Sequence, residues 1–547
     1  MEQKRCTDCG NSFTIDDDEL ELYEKYDMPP EDICFRCSQM HRLSFRNERV
    51  LYQRKCDFSG ESILSIYSPD SPYKVYKNTH WYGDKWDALE YGRDFDFNRS
   101  FFEQFKELQL EVPRLALINA RAENSDYCNM TWGNKNCYLV FGGDFNEDVQ
   151  CGTLCMYNKD CVDVDLSDKN EVCYFMGDSY NCYGCQYTFD SKNCTDCFFI
   201  SDCIGCSDCI LCTNLVKKSY CILNKQYSKE EYFEKKAELL DGSYSKMKEN
   251  FKKLLELRNE RIVKYFHGVN CENCTGDYIN NSKNCINCYN IGDSEDLRNC
   301  ILVINGKDIF NASYIGHKTE ASYGSVATVT ANFVNNTYFS FDCNNIDYSE
   351  QMQNSENCFG CNGLNHKKNC ILNKQYSEDE YKEMRKKIIE HMKKTGEWGK
   401  FFPKNLGCFA YNEGTAHQYF PLKKEQALKF GYRWKEEDKR EYKPATFTLP
   451  DSIKEVPDSV VDEIFACSDC GKNYKINAAE LKFYRRFNIP VPHECFECRH
   501  RARLNLRTPL HLWDRSCGKC GAEFKTTYSE DRPEQVYCEK CYLEEVV

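Results

Sequence analysis

Through the middle of the chain the apolar positions recur every twelve residues. Written in lines of that length from Cys161, the sequence reads CVDVDLSDKNEV, CYFMGDSYNCYG, CQYTFDSKNCTD, CFFISDCIGCSD and CILCTNLVKKSY. Most lines open on a short β-prone stretch such as YFM, FFI or IL. Several then pass through turn residues, among them Asp178, Ser179, Asn181, Asp190, Ser191 and Asn193. One strand signal and one turn signal per fixed period is the pattern of stacked repeats, none of which can bury its apolar side alone. Cys161, Cys173, Cys185, Cys197, Cys209 and Cys221 keep the interval without a slip, and Cys182, Cys194 and Cys206 form a second row three positions earlier.

A second, less regular array starts with CENC at Cys271 and Cys274 and CINC at Cys285 and Cys288. It continues through Cys300 and keeps the period without thiols across the stretch that holds His317. Both arrays end on the same eight residues, CILNKQYS, at 221–228 and 370–377. A charged helical run follows each copy. Ser228 with Glu231, and Ser377 with Glu380, have the spacing of capping boxes, and Gly396 fits a helix C-cap. The run YSKMKENFKKLLELRNERIVKYF reads as a longer helix joining the arrays.

The two ends of the chain repeat each other. CTDCGNSF and PPEDICFRC near the start return as CSDCGKNY and VPHECFEC near the end, so that Cys6, Cys9, Cys34 and Cys37 correspond to Cys467, Cys470, Cys495 and Cys498. Zinc takes four soft ligands at tetrahedral corners, and a C-x-x-C-G turn offers two thiolates from one knuckle. Each second pair precedes a helical stretch, as in a treble clef. Cys517, Cys520, Cys538 and Cys541 make a further ribbon. Its N-terminal counterpart keeps only Cys56, with Ser59, Lys77 and His80 at the other three positions. The spacing therefore predicts about three zinc ions and one relic.

These patterns predict a mainly β chain with α segments, in which zinc-ribbon or treble-clef modules stand at both ends of a duplicated twelve-residue β-solenoid-like repeat array capped by helices. The expected units are a treble-clef ribbon (1–55), a degenerate ribbon with an aromatic linker (56–122), the first array (123–227), a helical insert (228–268), the second array (269–376), a capping helix (377–396), an aromatic clasp (397–461), a second treble clef (462–511) and a C-terminal ribbon (512–547).

Composition narrows the setting. The chain has 547 residues, 41% of them hydrophobic, which is enough for several cores. No apolar run approaches a membrane span, and MEQKRCTDCG has no signal-peptide character. The expectation is a cytoplasmic protein without membrane attachment, whose 38 cysteines bind metal or stay as thiols. The ladder thiols admit three readings: small buried fillers of a narrow interior, metal ligands where C-x-x-C pairs stack, or disulfide and redox groups.

The net charge of −14 opposes general nucleic-acid affinity. Between Cys467 and Cys520, however, 11 Lys and Arg face 5 Asp and Glu, counted along the sequence. Arg499, Arg501, Arg503 and Arg507 would line a helix beside the zinc site, where they are the candidate nucleic-acid contacts or, equally, partners of the acidic remainder of the same chain. No nucleotide-binding loop, metalloprotease helix or nucleophile elbow is found, and His417 stands alone. No catalytic residue and no small-molecule substrate are assigned.

With CTDCGNSF, PPEDICFRC, YGRDFDFNRSFFEQFKEL, CILNKQYSKEEY and GEWGKFFP, the chain resembles an uncharacterised family of large cysteine-rich zinc-ribbon proteins of candidate-phylum, reduced-genome bacteria. The resemblance implies zinc ribbons, a repetitive middle and a cytoplasmic bacterial setting. It implies no activity. In that family the region after Tyr76 carries two cysteines where this chain has Lys77 and His80.

The leading expectation is a non-enzymatic zinc-binding scaffold that works through a protein partner or self-association. A nucleic-acid-associated protein, linked to ribosome or transcription and using the basic C-terminal module, is the alternative. A thiol-redox or metal-storage protein is the third.

Overall fold

The computed structural model describes residues 1–303, 313–316, 322–323, 326–329, 332–436 and 441–546, so His317 lies outside the described residues. Among these the chain forms twelve α-helices and ten separate sheets, seven of which have only two strands. The fold is thus mixed α/β. This corrects the expectation of a mainly β chain with a β-solenoid-like array. The twelve-residue interval is a pairing register of short strands. Such a register carries no information about the helices and two-stranded hairpins that make up much of the remaining structure.

The register itself is plain. In the first ladder parallel strands pair Val162 with Tyr174, Tyr174 with Gln186, Gln186 with Phe198 and Phe198 with Ile210, each a step of twelve. The backbone between them has a shorter rhythm. Asp160, Asp163, Leu166, Lys169, Val172, Phe175, Asp178 and Asn181 all have φ between 47° and 60°, so every third residue is left-handed. Asn and Asp tolerate this conformation. Val172 and Phe175 do not, at a cost of about 1–2 kcal/mol each that burial offsets.

The residue after each left-handed one is buried: Cys161, Val164, Ser167, Asn170, Cys173, Met176, Ser179 and Cys182. These side chains also complete the hydrogen bonding of the interior. Cys173 Sγ donates to the carbonyls of Glu171 (3.2 Å) and Cys182 (3.5 Å), Ser179 Oγ to those of Gly177 (3.0 Å) and Thr188 (3.3 Å), and Asn170 Nδ2 to that of Ser179 (2.9 Å). A carbonyl buried without a partner is costly, and a small side chain with one donor is what this space accepts. Cysteine, serine and asparagine are the residues that meet both demands.

CILNKQYS closes each ladder. Its strand turns back as an antiparallel hairpin, Cys221 opposite Gln226 and Cys370 opposite Gln375. Leu223 and Asn224 (φ 51° and 58°), like Leu372 and Asn373 (46° and 61°), are both left-handed, as a two-residue type I′ turn requires. Asn224 binds both the N–H and the carbonyl of Thr213, and Asn373 does the same at Asn362. Lys225 and Lys374 then stand on the last strand, where a charge discourages further pairing. Ser228 and Ser377 cap the helices Lys229–Leu239 and Glu378–Thr395, with Glu231 and Glu380 completing both capping boxes.

The connecting helix is shorter than its charge pattern suggests. It spans Tyr244–Glu260, and Arg261 leaves it in extended conformation (ψ 152°) to place its guanidinium 2.6 Å from Asp202. The chain continues as the strand Ile262–Lys264, paired with Gln535–Tyr537 of the C-terminal ribbon.

The ends dock crosswise. The N-terminal modules lie on the second ladder: Gln39 Nε2 donates to Asn299 O (2.9 Å), Arg298 pairs with Asp16 (2.5 Å), and Arg114 pairs with Glu350 (2.7 Å) with neither side chain exposed. The C-terminal modules lie on the first ladder through the helix Phe496–Leu504 and Tyr542. The aromatic segment after Gly396 joins the N-terminal module to the second ladder. Phe402 stacks on Phe105 (5.4 Å), Trp398 packs on Tyr348 (6.0 Å), and Lys404 reaches Asp8 (2.8 Å).

Where the second ladder meets the C-terminal ribbon, His267 is held 2.9 Å from Asp277 and stacked on Tyr278, ring centroids 4.6 Å apart. Burial works against the imidazolium, but the hydrogen-bonded carboxylate of Asp277 and the nearby carboxylates of Asp190 and Asp202 together outweigh it and raise the pKa to about 9. A raised histidine pKa gives stability that is complete below the unfolded value of about 6.5 and lost as pH rises through the folded one. The melting temperature of the wild type should therefore fall by several degrees between pH 7 and 9.5. In His267→Gln that fall should be absent, as differential scanning fluorimetry across the range would show.

Candidate metal centres

Three knuckles share one backbone plan. Short antiparallel hairpins, Glu2–Arg5 with Ser12–Ile15, Phe465–Ala466 with Asn473–Tyr474, and Trp513–Ser516 with Glu523–Thr526, bring the C-x-x-C-G turns to their ends. Gly10, Gly471 and Gly521 have φ of 77°, 72° and 76°, and each donates its N–H to the carbonyl of the first cysteine at 2.9 Å. This reversal points both thiols of a knuckle the same way. The second pair comes from a helix start, Cys34 and Cys495 being the N-cap residues of Phe35–Leu43 and Phe496–Leu504. In the third site Cys538 directly precedes the helix Glu539–Val546.

In each set the four sulfurs lie within 4.8 Å of one another. The Sγ–Sγ distance is 3.8 Å for Cys9–Cys34, 3.8 Å for Cys470–Cys495 and 3.7 Å for Cys520–Cys538. A tetrahedron with zinc–sulfur bonds of about 2.3 Å has edges of about 3.8 Å. Cys6, Cys9, Cys34 and Cys37, then Cys467, Cys470, Cys495 and Cys498, then Cys517, Cys520, Cys538 and Cys541, are thus three four-thiol cages able to coordinate a metal ion.

Backbone donors favour the thiolate form at the first cysteine of the two C-terminal cages. Cys495 N–H points to Cys467 Sγ at 3.2 Å and Cys538 N–H to Cys517 Sγ at 3.3 Å. Burial raises the pKa of Cys467, yet these N–H groups more than offset it and bring the thiol down to about 7; the same balance takes Cys517 to about 6.

The fourth position keeps the plan without the ligands. Gly60 is left-handed (φ 74°), its N–H donates to Cys56 O at 2.8 Å, and Lys77 N–H points to Cys56 Sγ at 3.3 Å. Around them Glu61 accepts from Ser59 (3.0 Å) and Lys77 (3.1 Å) and meets His80 Nε2 at 3.2 Å. Phe58 packs on Tyr76 and His80. A carboxylate and its partners thus tie together the turns that a metal ion would join in the other three.

The arginine row turns mostly inward. Arg499 Nε donates to Asp163 at 2.7 Å, and Arg503 binds Asp165 (2.7 Å) and Asp163 (3.0 Å). Arg507 binds Asp178 (2.6 Å) and Asn290 (2.6 Å). His500 also reaches Asp165, at 2.9 Å. Arg499 and Arg503 are fully buried, and the guanidinium of Arg507 is covered by Tyr278. Arg501 alone is exposed. Of the two readings of the row, three of its arginines follow the internal one, as buried ion pairs that hold the C-terminal module on the first ladder.

No family model, curated protein or solved structure matches this chain.

The ladder thiols are free and mostly buried. Burial pushes the Cys128 thiol up to about 12 and the Cys137 thiol up to about 11, while hydrogen bonds from Cys194, Cys203 and Cys209 shift Cys206 the other way. Among the described residues only the three end cages gather cysteines closely enough for metal. His417 packs edge-on between Tyr411 and Trp434 in the aromatic segment, where burial and the nearby Arg501 guanidinium both disfavour its charged form. Sequence reasoning missed the acidic partners Asp163, Asp165 and Asp178. Asp178, Asp190 and Asp202 stand twelve residues apart, so a column of acids in the repeat was the available signal.

Proposed function

We propose that this protein is a non-enzymatic, zinc-binding scaffold whose three ions set the shape of the end modules that dock on the two ladders. The carrying observation is at the C-terminal module. Cys495 and Cys498 open the same helix that carries Arg499 and Arg503 into the ladder, so the geometry of the cage fixes the direction of the docking helix. Zinc suits four thiolates better than harder cations do, and a closed four-ligand cage is the structural kind, with no position left for substrate. Three such ions would hold Cys6 to Cys37, Cys467 to Cys498 and Cys517 to Cys541 and supply cross-links, not chemistry.

The scaffold acts through protein partners or further copies of the chain, in the cytoplasmic bacterial setting that the zinc-ribbon resemblance implies. Among the described residues no helix is long and apolar enough to cross a membrane. A nucleic-acid role through the arginine row lacks support, since three of the four guanidiniums serve the internal interface. A redox or storage role lacks it too, since the ladder thiols serve carbonyl groups.

Metal analysis of protein purified without added zinc should give about three zinc ions per chain, and Cys470→Ser should lower this by one. Six or more ions, or iron absorbance, would refute the reading.

A further inference from the structure

The three cages are not equally sheltered. In the first, the facing sulfurs of Cys9 and Cys34 are both half-buried, and in the second exposed Cys470 faces buried Cys495. In the third, exposed Cys520 faces half-buried Cys538 at 3.7 Å, with Cys517 and Cys541 buried. The Cys520–Cys538 contact thus lies at the surface, and the corresponding contacts of the other two cages are partly covered. Oxidation of cysteine follows thiolate character and access.

The helices that follow the cages differ in the same sense. Phe35–Leu43 buries every residue from Cys37 to Leu43, and Phe496–Leu504 buries Cys498, Arg499, His500 and Arg503. Glu539–Val546 buries Cys541 alone. Outside the cage this helix is held by the Tyr542 hydroxyl, which accepts from Asn214 Nδ2 at 3.5 Å, and by ion pairs of Glu539 with Lys264 (3.3 Å) and of Glu544 and Glu545 with Lys519 (3.2 and 2.6 Å). Surface pairs of this kind contribute little, so the helix depends on its cage.

We propose that Cys520 and Cys538 form a redox-sensitive latch: a hydroperoxide oxidises them to a disulfide, the third cage gives up its ion, and the helix Glu539–Val546 comes off the first ladder at Asn214. One thiolate attacks a peroxide oxygen, the O–O bond breaks, hydroxide leaves and a sulfenic acid forms. The second thiolate displaces hydroxide from that sulfur to make the S–S bond. Two electrons pass from sulfur to peroxide, and with two protons the two hydroxides become water. Cys517 and Cys541 are then the two ligands left where a closed cage needs four. The ladder thiols take no part. The latch rests on the zinc-binding reading above, because a cage without zinc has nothing to release.

The test uses full-length protein whose zinc content has been counted, mixed with hydrogen peroxide, with release followed by 4-(2-pyridylazo)resorcinol. One ion should leave about tenfold faster than the other two, because its thiolates are the most accessible. Differential alkylation and mass spectrometry at the end of the fast phase should find Cys520 joined to Cys538. Hydrogen exchange should then show the amides of Glu539–Val546 losing protection while those of Phe496–Leu504 keep it. Dithiothreitol with added zinc should restore the wild-type pattern. Release of all three ions at one rate, a first disulfide outside this cage, or unchanged exchange in Glu539–Val546 would overturn the latch and leave the zinc reading standing. Protein that carries no zinc at the outset would overturn both.

Discussion

Replacing Arg503 by alanine should destabilise the folded protein by about 3–5 kcal/mol, the usual result of removing one partner from a buried ion pair. Its guanidinium is 1% exposed and lies between Asp163 and Asp165, which are 0% and 5% exposed, with the ring of Phe175 at 5.0 Å. Without it, Asp163 keeps Arg499 and Asp165 keeps His500, but two buried carboxylates then share one permanent charge. Arg503 also helps hold Asp165 far below the usual carboxylate range, against the burial that pushes it up. The pair's contribution is therefore present above the ordinary carboxylate pKa and lost only when pH falls through the depressed value. Urea unfolding followed by circular dichroism would measure the loss. Arg501→Ala, on the exposed side of the same helix, should stay within about 0.5 kcal/mol of wild type. Equal effects of the two substitutions would show that docking does not run through the buried pairs.

The second large effect is metal removal. Structural zinc in small ribbons supplies apparent binding energies of about 10–16 kcal/mol, far more than the short hairpins around these cages could gain by packing. Chelation with a membrane-permeant or soluble zinc chelator should unfold the end modules while leaving the ladders assembled. In hydrogen exchange, the amides of Phe496–Leu504 should lose protection, and those of the strand Phe198–Ser201, buried inside the first ladder, should keep it. Unchanged exchange in that helix after zinc is shown to have left would mean that the cages do not hold the docking surface.

The cages were legible because four cysteines at fixed spacing have few other uses in a chain of this kind, and the glycine after each knuckle announces the turn. CILNKQYS was legible as an ending, since its serine and the glutamate three residues later mark a helix start. Its two-residue turn was not, because Leu223 and Leu372 are poor candidates for a left-handed conformation and adopt it only where the ladder's rhythm demands. The same rhythm hid in the repeats. A twelve-residue interval was visible through cysteine, but the three-residue alternation of left-handed and inward positions is shared among Cys, Ser, Asn, Val and Met, which agree in size or donor capacity and not in name. The helical share of the fold was underestimated, and the choice between the two readings of the arginine row stayed open, for a common reason. Both depend on which surfaces meet, and residues 163 and 499 meet only because the chain ends cross.

That crossing sets an order of events during synthesis. Gln39 finds its partner only when Asn299 has been made, Arg114 waits for Glu350, and Asp163 waits for Arg499, an interval of 336 residues. Contacts so distant along the chain form slowly. The leading modules must wait for their dock until residues 299 and 350 have been made, and the part of the first ladder around Asp163 stays uncovered until Arg499 follows it. A nascent chain of this kind has a long exposed youth, and any helper that shields ladder edges or delivers zinc early would act on it in that interval.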